Sequence, residues 1–222
     1  HCQDGSPDVP AKTAPERTRG PIIACGELPL NPGTPALLAR LAGLVGDSPR
    51  IVLVIAPKQA SDEELELEAM LVRAGYPAMS RHVLANRASA EHRHLLDQIE
   101  QADLVILSAD SPLKLSSLIG GSSLARLLRR RNADGLAVCG IAAGAAVLCE
   151  HMLASGSQGA TPRVGGASLA PGLGLTNRVV IDQGGHASDR LGRLLAALAL
   201  NPFALGLGID ALTAAVIGSD NA

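Results

Sequence analysis

With 222 residues, 47% of them hydrophobic and 18% charged, the chain is long enough for a substantial core and short enough for one globular domain. A formal net charge of -2 removes any general electrostatic case for nucleic acid or an anionic membrane surface. Apolar runs fall well short of the roughly 20 residues of a spanning helix, and with one Tyr, one Phe and no Trp the chain has no stacking platform for bases or sugars.

Residues 1–19 are polar and proline-rich without periodicity and read as an N-terminal arm or linker, with a single α/β domain expected over residues 20–222. The first segment contains no apolar h-region. From Gly20 the pattern changes: Pro21 to Cys25 reads as a first strand, and Pro35 to Val45 as a helix with Leu37, Leu38, Leu41 and Leu44 on one face. Arg50 to Ala56 is a continuous β-branched run, the pattern of a strand covered on both faces of a parallel sheet. Ser61 opens a helix with a capping-box pattern, Glu64 lying three residues on, and the helix is predicted to run to Ala74 and stop at Gly75.

Arg81 to Leu84 reads as a short strand and Ala88 to Gln101 as a helix carrying His92 and His94. Two residues apart on a helix, these histidines face different ways and do not share a metal. Leu104 to Ser108 is the next buried strand, ending at Ala109-Asp110-Ser111-Pro112, and Leu113 to Arg131 contains a helix whose final arginines complement its dipole. After a further helix expected to reach Leu153, residues 154–166 read as loop, Ser168 to Leu175 and Val179 to Asp182 as a turn and a strand, Asp189 to Leu200 as an amphipathic helix, and Leu205 to Ile217 as a last hairpin or strand pair. Strands alternating with helices predict an α/β fold: a doubly wound, mainly parallel sheet with helices on both faces. Ligands of such sheets bind beyond the carboxyl ends of the strands, where the Asp110 and Asp182 turns are expected to share one cleft.

Cys2, Cys25, Cys139 and Cys149 form no CxxC and no Cys/His pair at zinc spacing. Cys139 and Cys149, in an expected buried strand and helix, read as small core residues in a reducing compartment, so the expectation is a cytoplasmic protein with no metal and no cofactor.

The chemistry-bearing stretch is Leu136 to Glu150, LAVCGIAAGAAVLCE. A short apolar run, the Gly140-Ile141-Ala142-Ala143-Gly144 turn and an Ala/Val/Leu-rich segment spell strand, tight turn and helix, the build of a nucleophile elbow. At the tip, where a hydroxyl or thiol is expected, stands Ala142. Cys139 ends a buried strand and points away from the tip.

GGSSLARLLRR, VCGIAAGAAVLCEHML, LAPGLGL with VVIDQ, RLGRLLAALALNPFALGLGID and TAAVIG, in this order between Gly20 and Gly218, resemble the cyanophycinases and related serine-type exopeptidases, cousins of peptidase E. The resemblance implies a flavodoxin-like three-layer fold, a dimer, and cleavage of β-aspartyl-arginine dipeptides from cyanophycin. It places the family's nucleophilic serine at Ala142, with Gly140 and Ala143 beside it. The general-base histidine of the Asp-Gln-His-Phe block falls at Gly184 after Asp182 and Gln183, with Gly185 following. Two substrate-binding arginines fall at Ser188 and Arg190, and a late glutamate at Ala211. A glycine-rich acidic turn falls on Ala109, Asp110, Ser111 and Pro112. His186, in a glycine-flanked loop, is the one nearby imidazole.

These positions lack nucleophile, base and acid together, and a site without its nucleophile keeps only binding and oxyanion terms. The expected reading is a pseudoenzyme acting as a structural or regulatory subunit, in a homodimer or paired with a related active subunit. Two alternatives stay open. One is an active hydrolase of β-aspartyl-arginine peptides using other residues; the other is a module that binds an aspartyl or arginyl peptide through Asp182, Gln183 and Arg190 without cutting it.

Overall fold

The computed structural model describes residues 10–14, 16–29, 31–56, 63–183 and 189–218. In chain order the first elements are β1 (Ile22–Cys25), α1 (Gly33–Gly43), β2 (Ile51–Ala56), α2 (Glu63–Arg73), β3 (Ser80–Val83), α3 (Arg93–Gln101) and β4 (Leu104–Ala109). They are followed by α4 (Pro112–Ile119), α5 (Ser123–Ala133), β5 (Ala137–Ala142), α6 (Ala143–Val147), β6 (His151–Gly156) and β7 (Ala167–Pro171). The last are β8 (Val179–Gln183), α7 (Leu191–Leu200), β9 (Leu205–Ile209) and β10 (Ala214–Ile217).

Continuous apolar runs make strands buried on both faces, and here they form one sheet of order β10-β1-β5-β4-β2-β3. All its neighbours are parallel except β10, which closes the edge antiparallel to β1. Side chains alternate between two cores. Ile23, Leu53, Ile55, Ile106 and Cys139 meet Leu38 and Leu41 of α1 and Met70 and Leu71 of α2. Val52, Val54, Val105, Leu107 and Val138 meet Leu95 and Ile99 of α3, Leu115 of α4 and Leu124 of α5. The predicted three-layer α/β architecture is therefore present. A smaller core of Leu153, Val180, Leu194 and Ala197 joins β6, β8 and α7.

Several predicted elements differ, each for a local reason. The helix expected over 88–101 breaks because Asn86 and Ser89 cap each other, forming a 3₁₀ turn over Arg87–Glu91, and His92 follows in extended conformation (φ -65°, ψ 121°). Only His94 of the two histidines lies within α3. The helix expected over 113–131 is two helices, separated at Gly120-Gly121 and restarted by Ser122, whose hydroxyl accepts from the Ala125 amide at 3.2 Å. The helix expected to reach Leu153 stops at Val147, because the incoming chain supplies other donors: the Leu173 amide bonds Val147 O at 2.7 Å and the Leu175 amide bonds Leu148 O at 3.0 Å. Tertiary pairing there overrides helix propensity. The expected hairpin over 205–217 is two strands with different partners, β9 parallel to β8 and β10 antiparallel to β1. The helix expected from Asp189 begins at Leu191, Asp189 itself having φ 52°. The α2 stop is as predicted: Gly75 takes φ +100° and its amide bonds Val72 O while the Tyr76 amide bonds Leu71 O. Ser61, the expected cap, lies outside the described residues.

Two polar groups tie the sheet ends together. Fully buried Asn132 donates to Gly20 O at 3.0 Å and Leu136 O at 2.9 Å and accepts from Arg19 at 3.1 Å, so the end of α5 locks the entries of β1 and β5. Asn132→Ala strands two carbonyls; the expected loss is roughly 2 kcal/mol of unfolding free energy by urea titration, with the m-value unchanged.

At the opposite half of the sheet, Asp103 before β4 accepts from the Arg50 amide at 2.9 Å and its guanidinium at 3.2 Å. The Arg50 hydrogen bond is the largest cause holding the Asp103 carboxyl below the usual aspartate range. A depressed folded value means the pair's contribution is full above the ordinary value of about 4 and is lost as pH falls through the lower folded value. The expected outcome is that Asp103→Asn lowers the melting temperature slightly at neutral pH and that the difference from wild type shrinks progressively in a melting series taken below the ordinary aspartate value.

Candidate active site

The end of β5 is shaped by backbone crowding. A Cβ on Gly140 would lie 2.4 Å from Gly144 O, and one on Gly144 would lie 2.3 Å from Leu107 O of β4. Glycine alone lets the first turn of α6 settle onto β4 and β5 this closely. The chain must then reverse within the residues between, and Ala142 takes the turn at φ 53°, ψ -125°. Such a conformation costs a non-glycine residue about 1–3 kcal/mol and persists only where the surroundings impose it. This is the strained elbow that the sequence predicts, with a methyl group at its tip.

Around the tip, Ala109 of β4 pairs in register with Ala142, which brings Asp110 alongside, and Ser111 caps α4 by accepting from the Lys114 amide at 3.3 Å. The turn after β9 packs tightly against the end of β1. A Cβ on Gly26 would lie 2.0 Å from Asp210 O, and Leu212 is held at φ 56° with its amide bonded to Glu27 O. Asp182 near the end of β8 is 4% exposed and bound bidentately by Arg193 of α7, the Nε contact being 2.6 Å. Its carboxylate also accepts from the Gln183 amide at 2.8 Å, which fixes the strand end.

Two adjoining cavities flank the elbow among the described residues, and the smaller gathers Ala143 of the elbow, Asp110 and Asp182, as expected. The larger, of about 480 Å³, is lined by Ala142 with Ser108, Asp110, Gln183, Ala211, Glu27 and Glu66. The smaller, of about 170 Å³, lies between the elbow and α7 and is lined by Asp182, Arg190, Arg193 and Ala154. Asp110, Ala143 and Gln183 line both. The larger cavity is therefore acid-rimmed, and the smaller carries two guanidinium groups. Arg190 reaches Gln183 O at 3.5 Å through Nη1, and its buried Nε has no hydrogen-bond partner among the described residues.

The structure thus brings Ala142, Ala143, Gln183 and Ala211 to one cavity and Asp182 and Arg190 to its neighbour. Gly140 lies beneath the turn and lines neither. Gly184 and His186 lie outside the described residues. Cys139 is 1% exposed within the α1/α2 core, and burial pushes its thiol well above the ordinary value, so it has the character of a core residue. Glu27, Glu66 and Arg193 were not singled out in the sequence. Glu27 and Glu66 belong to no motif, and Arg193 was read only as part of an amphipathic helix; each is placed by how distant elements pack.

A family model for peptidase family S51 matches residues 60–222. The chain is 36% identical over 138 residues to a cyanophycinase from Trichormus variabilis, covering 62% of this chain and 46% of that one. It is also 36% identical over 139 residues to a cyanophycinase from Synechococcus elongatus, covering 62% and 43%. The chain spans about half the length of the curated relatives it matches. In three dimensions it is similar to the crystal structure of a peptidase from an acI-B1 actinobacterium, with TM-score 0.65 and 20% identity over 90% of this chain and 84% of the other, a likeness of fold. With its elbow, sheet and matched sequence taken together, this chain belongs to peptidase family S51.

Proposed function

We infer that this S51 chain is a catalytically inactive, cyanophycinase-like homologue whose site binds without cutting and whose biological work is that of a structural or regulatory subunit, as a homodimer or beside a related active chain. The observation that carries this reading is Ala142 at the elbow tip. The turn holds its residue at φ 53°, the geometry that projects a nucleophile, yet a methyl group cannot attack a carbonyl. Gly184 and Ala211 at the base and acid positions of the resemblance remove the groups that would activate a replacement. Cys139 is too buried to serve instead.

One observation favours ligand retention in particular. Arg190 holds a guanidinium beside the smaller cavity with its Nε unpartnered among the described residues, and Asp182 and Arg193 already satisfy each other next to it. The positive charge of the Arg190 and Arg193 guanidinium groups lining that cavity favours an anionic group such as a carboxylate.

Incubating the pure protein with β-aspartyl-arginine polymer and dipeptides, with released amines as the readout, tests the inactive reading. No release above buffer is expected, and saturable turnover abolished by a substitution in the elbow cavity would contradict it. Ala142→Ser alone is expected to stay at background, because an alcohol without its base is a weak nucleophile. Ala142→Gly is expected to raise the unfolding free energy by about 1 kcal/mol, since relieved strain exceeds the added freedom of the unfolded chain. Calorimetry against aspartate- and arginine-containing peptides should show Arg190→Ala losing roughly 1.5–3 kcal/mol of binding.

A further inference from the structure

Away from the elbow, at the β3 edge of the sheet, two imidazoles from different elements converge on one amide. His82 lies on β3 and His94 on α3, their ring centres 5.6 Å apart and their planes inclined by 55°. His82 Nε2 is 3.4 Å from Gln98 Oε1, and His94 Nε2 is 3.5 Å from Gln98 Nε2. Both Nε2 atoms therefore aim at the two ends of a single side-chain amide, one helical turn beyond His94.

These contacts are long for hydrogen bonds, so little is lost when the amide turns to present its oxygen to an ion held between the rings. The ring spacing has its own meaning. A tetrahedral zinc ion about 2.0–2.1 Å from two imidazole nitrogens places the ring centres roughly 5 Å apart. The observed separation is within an ångström of that value, so rotation of the side chains is what has to turn both nitrogens onto one ion. Access is open on the His94 side: His94 is exposed and a cavity of about 450 Å³ is lined by His94, Asp97 and Gln98, while His82 is half-buried and outside that lining. The cationic groups nearby are already engaged, Arg50 with Asp103 and Arg93 with Asp97 at 3.7 Å.

We propose that His82 and His94 form a bis-imidazole clamp for a divalent transition metal of the zinc class, with the Gln98 carbonyl oxygen and water completing the coordination. The clamp joins the edge strand of the sheet to the helix packed beside it, so its occupation ties down an element that otherwise has a sheet neighbour on one side only. Borderline-soft imidazole donors select zinc, nickel or copper over magnesium or calcium.

Zinc titrated into the full chain by calorimetry, with melting temperature followed in parallel after EDTA treatment, tests this. One equivalent bound at this edge and a raised melting temperature are expected. His82→Ala and His94→Ala should each abolish both effects, Gln98→Ala should weaken binding roughly tenfold, and magnesium should have no effect. His92→Ala and His151→Ala serve as controls expected to behave like wild type. His94 is exposed, so its removal leaves the metal-free melting temperature unchanged and separates loss of the site from loss of the fold. Binding that survives both histidine substitutions, or no zinc-dependent shift in wild type, would overturn the proposal.

Discussion

The structure depends on one close approach of backbones. Leu107 of β4, Gly140 of β5 and Gly144 of α6 lie so near one another that a single added carbon on either glycine would collide with a carbonyl. Everything at the candidate site follows from that crowding. Because α6 must start directly on top of the sheet, the connection shrinks to a sharp turn and Ala142 is forced into a conformation that costs an L-residue free energy. The sheet register then sets Asp110 beside it, and β8 and the turn after β9 complete the walls.

The same constraint separates scaffold from chemistry. Packing glycines and buried aliphatics act on the whole fold, so changing them costs stability everywhere. The residue at the elbow tip, by contrast, touches solvent in the cavity, and nothing in the packing requires an oxygen on it. A chain can therefore hold the full geometry of an S51 elbow while carrying a methyl at its tip. Around it lie a cavity with Glu27, Glu66, Asp110 and the Ser108 hydroxyl, and a smaller one where Arg193 binds Asp182 and Arg190 stands beside them. Among the described residues the one hydroxyl lining the elbow cavity is that of Ser108, on β4 opposite Ile141 rather than at the tip of the turn.

Much of this was legible in the residues because it is local. The β-branched and aliphatic runs at Ile51–Ala56 and Leu104–Ala109 carry the pattern of strands covered on both faces, and the spacing of Gly140 and Gly144 around Ala142 spells the elbow. The errors came where distant chain segments compete for backbone groups. Val147 to Leu153 has helical propensity, but residues 173–175 take its carbonyls. Leu205 to Ile217 has the look of a hairpin, yet its halves pair with β8 and β1. The two-cavity form of the site and the role of Arg193 depend on how α7 packs, which no spacing encodes. His94 was weighed against His92, its sequence neighbour, when its spatial partner is His82 on a strand twelve residues earlier.

The central claim is that the elbow presents no attacking atom. The direct measurement is intact-protein mass spectrometry after incubation with a fluorophosphonate, which tags activated serine nucleophiles. The account predicts unmodified protein under conditions that label an active serine hydrolase to completion. A stoichiometric adduct mapped to a residue lining the elbow cavity would contradict it.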